Sequence, residues 1–218
     1  MWPALSRPTA KLAELALSLL APRECAACGG PVDAEVTFCA ECGAPPALPP
    51  DALDGVPLFC GGEYAPPLSL AIGRLKFERR SDLAKELARA LIAPLRPLAL
   101  TRRDAFVPVP LHRVRLVERG FNQAGLVARA LANATGASFH PQQLERRRET
   151  AQQARLGRSE REANVHAAFR VRAPRTPGRV VLVDDVVTTG RTALACLESL
   201  REAGCEIAAV VALARAGK

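Results

Sequence analysis

From residue 59 onward the chain alternates short apolar runs with stretches whose apolar residues recur every three or four positions. That alternation predicts strands and helices in turn, as in a parallel sheet with covering helices. Residues 81–95, SDLAKELARALIAPL, put Ala84, Leu87, Ala88 and Leu91 on one helical face. Ser81 is placed to cap that helix, and Pro94 to stop it. Residues 105–110, AFVPVP, read as a strand closing on a proline turn, and residues 121–136, FNQAGLVARALANATG, as a helix ended by Gly136. Residues 179–185, RVVLVDD, are a continuous apolar run, the mark of a buried central strand. A helix over 191–204, closed by Gly204, and a strand over 205–215, CEIAAVVALAR, complete the pattern.

The front of the chain is different. Residues 12–21, LAELALSLLA, are apolar at helical spacing but interrupted by Glu14, and a bilayer span needs about 20 apolar residues. An amphipathic helix within residues 1–24, packed on the domain or on a partner, is predicted; with Arg7 and Lys11 ahead of it, a signal peptide is the alternative. No transmembrane segment is read, and a cytoplasmic location follows. Residues 43–57, GAPPALPPDALDGVP, are proline-rich and read as a linker. The organisation predicted is therefore residues 1–24 as a helix, 25–58 as a small module with its linker, and 59–218 as the main α/β domain.

Charge adds a partner class. The formal net charge is +8, and Lys11, Lys76, Lys85 and Lys218 are the only lysines among 30 basic residues. Arginine suits bidentate phosphate capture, although an arginine-biased genome gives the same excess. Polyanions should bind in a salt-dependent manner. Aromatic residues make up only 4% of the chain, so few platforms exist for stacking bases; Trp2, Phe121 and Tyr64 are the candidates.

Four of the seven cysteines form two C-x-x-C-G turns, Cys25–Cys28 and Cys39–Cys42. In a reducing compartment this pattern points four thiolates at one structural zinc ion; disulfides or redox motifs are the alternatives. Cys60, Cys196 and Cys205 read as small core residues.

The chemistry concentrates in residues 179–197, RVVLVDDVVTTGRTALACL. Ligands of open α/β sheets bind at the carboxyl ends of strands, where Asp184 and Asp185 fall. Residues Thr188, Thr189, Gly190, Arg191 and Thr192 then form the turn before a helix. Free backbone N–H groups, three hydroxyls and a positive helix end make that turn a phosphate cradle. Paired acids beside it suit ribose hydroxyls, directly or through Mg²⁺. A solvated strand-to-helix turn is the plain alternative. The segment specifies a sugar phosphate held at both ends.

Residues 180–192, VVLVDDVVTTGRT, resemble the phosphoribosyl pyrophosphate signature of type I phosphoribosyltransferases. With the leading C-x-x-C pair, YAPPLSLAIGRLKFERR at 64–80, VPVPLHRVRLVERGFNQA at 107–124 and TAQQARLGRSEREANVHAAFRV at 150–171, the chain is similar to the ComF family. These are competence-associated proteins with a zinc finger fused to a phosphoribosyltransferase-like domain. Many relatives carry further cysteine pairs, whereas this module has two. The resemblance implies that Asp184 and Asp185 face the ribose and that residues 188–192 surround the 5′-phosphate, Arg191 mainly through its backbone. Pro110, Leu111, His112 and Arg113 then lie in the pyrophosphate loop, with Arg119 to Gln123 opening the next helix toward anions. Lys76 is a further ligand candidate, or an exposed basic residue. His112 is a general base or a surface histidine in a turn. Residues 145–162 read as a mobile loop, and arginines 146, 147, 148, 155 and 158 stand where such enzymes carry a flexible catalytic loop; they would close on pyrophosphate, contact nucleic acid, or simply be solvated.

Three functions stay open at this point. One is a protein binding phosphoribosyl pyrophosphate with Mg²⁺ and acting in DNA uptake or single-stranded DNA handling, with the uptake machinery as partner. Another is an active transferase in nucleotide or cofactor salvage, although no residue identifies an acceptor. The last is a nucleic-acid-binding module with a vestigial site, against which the full Asp–Asp–Thr–Thr–Gly set argues.

Overall fold

The computed structural model describes residues 23–33, 36–146, 168–172 and 178–217. The apolar stretch 12–21, Trp2 and arginines 147, 148, 155 and 158 lie outside the described residues. The main body is a six-stranded sheet of β3 (Asp51–Leu53), β4 (Val56–Cys60), β5 (Ala105–Pro108), β6 (Ser138–Phe139), β9 (Val180–Val187) and β10 (Ile207–Arg215). Its strand order is β3-β4-β10-β9-β5-β6. All pairings are parallel except that of β3 with β4.

Among the described residues, α1 (Leu68–Phe77), α2 (Leu83–Leu95), α4 (Gln123–Thr135) and α5 (Arg191–Glu202) cover the sheet, and the short α3 (Arg113–Arg119) follows the loop after β5. This is the helix-covered parallel sheet of the type I phosphoribosyltransferase fold. The central strand shows how it is held. Val181 and Val183 of β9 point into a layer filled by α1, α2 and α4, whereas Val180 and Leu182 point into a layer under α5. Each of these side chains is fully buried, contributing about 1.5–3 kcal/mol. The small pair β7 (Leu144–Arg146) and β8 (Phe169–Val171) packs Leu144 and Phe169 into the α5 layer. Arg146, expected in a loop, is thus a strand residue, with its guanidinium 5.6 Å from the Phe169 ring centre.

The starts of β5 and β9 are tied by charge. The buried Asp104 accepts from Arg179 Nε at 3.0 Å and from Thr101 N–H at 2.7 Å. Arg179 first, against the opposing effect of burial, holds the Asp104 carboxyl down to about 2. That anchor fixes the relative register of the two strands whose far ends carry the candidate site.

Three local expectations are corrected. Ser81 does not cap α2: the residue before the helix is Asp82, which has helical dihedrals and makes no side-chain cap bond. Pro94 sits inside the last turn, and the helix runs on to Leu95. The proline-rich stretch 43–57 is not all linker, for Asp51–Leu53 and Val56 onward pair as a hairpin on the sheet edge. Its tip is Asp54–Gly55, with φ of 51° and 73°, the two left-handed residues that a tight hairpin turn demands.

Ahead of the sheet lies a knob built on the short pair β1 (Arg23–Glu24) and β2 (Pro31–Val32), which carries the four paired cysteines.

Candidate functional site

β9 ends in Asp184, Asp185, Val186 and Val187. Successive side chains of a strand alternate faces, so the two acids part. Asp185 follows Val181 and Val183 toward the α1 layer, where its Oδ2 lies 3.1 Å from Lys76 Nζ in the last turn of α1. Both side chains of that pair are largely buried, at 14% and 17% exposure. Asp184 follows Leu182 toward α5, and its Oδ1 accepts the Asp185 backbone N–H at 2.8 Å. Burial, and after it the neighbouring Asp185 charge, pushes the Asp184 carboxyl up to about 7. Burial and then the Asp184 charge in turn push the buried Cys196 thiol of α5 well above its usual range.

The chain then turns into α5. Thr188, Thr189, Arg191 and Thr192 are exposed, and Gly190, at φ 76°, precedes the helix. A side chain at Gly190 would be strained by that φ and would also meet Leu53 of the β3–β4 hairpin, at 2.6 Å from an ideal Cβ. Arg201 and Arg215 pair with Asp54 and Asp51 of the same hairpin, so the hairpin is pinned over the turn. α5 has no acid in its first turn to offset its positive end.

On the other flank of β9 runs the loop after β5. Pro110, Leu111 and His112 are partly buried and Arg113 is exposed. His112 caps α3: its Nδ1 accepts the Val114 N–H at 3.3 Å. Arg119 is buried, and its guanidinium lies 5.2 Å from the ring centre of Phe77, the residue after Lys76. Asn122 Nδ2 donates to the Val109 carbonyl at 3.0 Å. Gln123, fully buried at the start of α4, has no hydrogen-bond partner for either its amide nitrogen or its oxygen. A buried polar group left so costs about 1–3 kcal/mol.

The four paired cysteines converge. Their sulfurs all lie within 4.8 Å of one another, and Cys28 Sγ is 3.7 Å from Cys39 Sγ. A tetrahedron of metal–sulfur bonds of about 2.3 Å has edges of about 3.8 Å. None of the seven cysteines is in a disulfide. Burial works against ionisation of Cys25, but the backbone N–H groups of Cys28, Cys39 and Ala27 prevail and hold it down to about 6. A hydrogen bond to Cys39, and then burial, push Cys42 up to about 12. The group can hold a metal ion such as zinc.

One helix joins this knob to the sheet edge. Arg74 of α1 donates to the carbonyls of Cys25 and Ala26 at 2.8 and 3.3 Å and pairs with Glu24 at 3.3 Å. Arg80 pairs with Glu24 at 2.6 Å. Of the sites predicted from sequence, the structure brings Lys76 to Asp185 and sets Arg119 beside Phe77. It leaves Thr188, Thr189, Thr192 and Arg113 facing solvent. Arg74 was missed, because nothing in its local sequence separates it from other surface arginines. The hairpin was missed although Asp54-Gly55 between apolar residues signals it.

Residues 83–218, more than half of the chain, match a family model described as a phosphoribosyl transferase domain. The chain is 37% identical over 203 residues to "DNA utilization protein YhgH" of Salmonella typhi, covering 88% of this chain and 89% of that one. It is 34% identical over the same span to the protein of that name from Escherichia coli K12, with the same coverage. It is 35% identical over 162 residues to "Competence protein F" of Haemophilus influenzae, covering 71% of each. The chain belongs to the ComF family. In this ComF-family chain the matched region starts at the first residue of α2, whereas β3, β4 and α1, which complete the sheet edge, precede it. No helix among the described residues is long and apolar enough to cross a membrane.

The raised Asp184 gives a stability test. Its folded value lies above the ordinary carboxylate value of 3.8, so folding is penalised increasingly as pH rises from about 4 to about 7, and the penalty is constant above that. Asp184→Asn should therefore be more stable than the parent at pH 8, by at least about 1 kcal/mol, with a smaller gain at pH 5. Urea denaturation at the two pH values measures the difference.

Proposed function

We propose that this chain binds phosphoribosyl pyrophosphate with Mg²⁺ at the carboxyl end of β9 and acts in the use of DNA taken up by the cell. The observation that carries this reading is the juxtaposition at one sheet edge of Asp184 and Asp185 with the exposed turn Thr188–Thr192. The turn supplies backbone N–H groups and three hydroxyls to a 5′-phosphate. The two carboxylates sit where they can accept from ribose hydroxyls. Lys76 pairs with Asp185 and holds it in place. On the β5 flank Pro110, Leu111, Arg113 and Arg119 receive pyrophosphate, with the unpartnered Gln123 amide behind them. His112 serves there as a helix cap, so its ring orientation is fixed by α3 and it is not assigned as a base.

The hard oxygens of the carboxylates and of the ligand's phosphates fit Mg²⁺, which bound there would neutralise the charge of the pyrophosphate. Cys25, Cys28, Cys39 and Cys42 hold a structural zinc ion, and α1 passes its order to Lys76 through Arg74. The names of the relatives, "DNA utilization protein" and "Competence protein F", support the cellular role. Single-stranded DNA is the macromolecular partner assigned, through arginine–phosphate contacts such as the exposed Arg113 and Arg115, with the uptake machinery alongside in the cytoplasm.

Titration calorimetry with phosphoribosyl pyrophosphate and Mg²⁺ should release heat. The double variant Asp184→Asn, Asp185→Asn should weaken binding at least about 100-fold, since each charged hydrogen-bonding group contributes about 1.5–3 kcal/mol. Unchanged binding in the double variant would reject the assignment. Metal analysis of the same preparation should find zinc in parity with the chain, and a folded preparation without zinc would remove the structural metal from the account.

A further inference from the structure

We infer that residues 12–21 of this chain, LAELALSLLA, dock in cis into an apolar groove of about 520 Å³ between α2 and α4. Docked there, they hold the cysteine knob to the sheet domain from a second side.

The groove is shallow-walled and built from small side chains. Ala88 and Ile92 of α2 and Leu126 and Ala130 of α4 line it. Ile92, Leu126 and Ala130 are only partly buried, against the core that lies beneath them. An alanine floor leaves depth for leucine side chains arriving from outside, and covering it removes apolar surface from water. Lys85, Arg89 and Arg129 also line the groove, and no acid does among the described residues. An occupant that carries a carboxylate at its edge therefore complements it better than a basic one.

The occupant follows from where the described residues begin, at Arg23. Both residues of β1 are tied to the start of α2 and to the run leading into it. Arg23 Nη1 lies 3.7 Å from Glu86 Oε1, and Glu24 accepts from Arg80 Nη1 at 2.6 Å. Each anchor touches the groove's lining. Ser81, next to Arg80, lines the groove, and Arg89 pairs with the other oxygen of Glu86 at 2.7 Å. Residue 21 is only two positions before Arg23. The lengths agree as well. Residues 12–21 at helical rise span about 15 Å, and Ala84 to Ile92 along α2 span about 12 Å.

The pattern of the segment suits this seat. At helical spacing Lys11, Glu14 and Ser18 fall on one stripe, and Leu12, Ala16, Leu19 and Leu20 on another face. With the leucines between the alanines, Glu14 stays outside at the rim, where Lys85, Arg89 and Arg129 stand. A second copy of the chain brings the same net charge of +8 and is repelled. A tether of a few residues gives the chain's own segment an effective concentration on the order of mM. Arg74 of α1 already grips the carbonyls of Cys25 and Ala26; the docked segment adds a hold from α2 and α4 on the N-terminal side of the same turn.

The test uses the full chain with the photoreactive residue benzoylphenylalanine in place of Leu15, at the edge of the apolar face. Irradiation should join position 15 to peptides of α2 or α4 in a product of monomer mass, as read by mass spectrometry. Separately, hydrogen exchange is compared between the parent and the double variant Leu12→Glu, Leu19→Glu. In that variant amides of α2 and α4 should exchange at least about fivefold faster, while those of β9 and β10 keep their protection and report that the sheet is folded. A double variant that does not fold leaves the decision to the cross-link. A cross-linked product of dimer mass assigns the groove to a second copy and overturns the inference. Cross-links to other elements, no cross-link, or unchanged exchange in α2 and α4 of the folded variant overturns it too.

Discussion

A β-strand sends neighbouring side chains to opposite faces, and at the end of β9 that rule separates two adjacent carboxylates. Asp185 goes to the α1 layer and meets Lys76; Asp184 goes to the α5 layer and stays with little compensation. Buried four-residue packing upstream, Val180 to Val183, prevents the strand from slipping by one residue, because a slip would exchange the two apolar layers. The two acids thus sit on either side of one sheet edge in different electrostatic states. One is paired with a lysine. The other is pushed up by burial and by its neighbour's charge. The turn that follows, with its exposed hydroxyls and no acid in the first turn of α5, is the anion seat we propose beside them.

The front module and the sheet edge are coupled through α1. Arg74 and Lys76 are two positions apart and so do not share a helix face. Arg74 holds the carbonyls of the cysteine turn, and Lys76 holds Asp185. α1 is therefore wedged between knob and strand, and a disordered knob would loosen the lysine. At the β3 end of the sheet the β3–β4 hairpin has the matching task. Its two aspartates are gripped by Arg201 and Arg215, and its Leu53 closes over Gly190. α1, on one face of the sheet, and the β3–β4 hairpin, at one end of it, both precede the region matched by the family model.

The central part of this arrangement was legible in the sequence. The apolar run before Asp184 fixes β9 as a buried strand, and Gly136 and Gly204 end their helices at positive φ. The cysteine spacing brings four sulfurs together. Three features were hidden for physical reasons. Proline density around 43–57 masked a hairpin, because prolines leading into an edge strand look like linker composition; Pro57, within β4, is exposed. The cap of α2 went to a residue with no side-chain cap bond, so the serine rule had nothing to act on. Contacts between segments far apart in the chain, such as Arg74 with Cys25 and Arg215 with Asp51, leave no local periodicity.

The central claim is that the β9 edge, divided by strand alternation, holds one activated pentose. A crystal structure of the full chain with phosphoribosyl pyrophosphate and Mg²⁺ tests it most directly. The account requires the 5′-phosphate within about 2.7–3.2 Å of backbone N–H groups of residues 188–192, with the ribose hydroxyls on the Asp184 and Asp185 carboxylates. A ligand bound instead among the exposed arginines of α3, with Asp185 still on Lys76 and no phosphate in the turn, would contradict it.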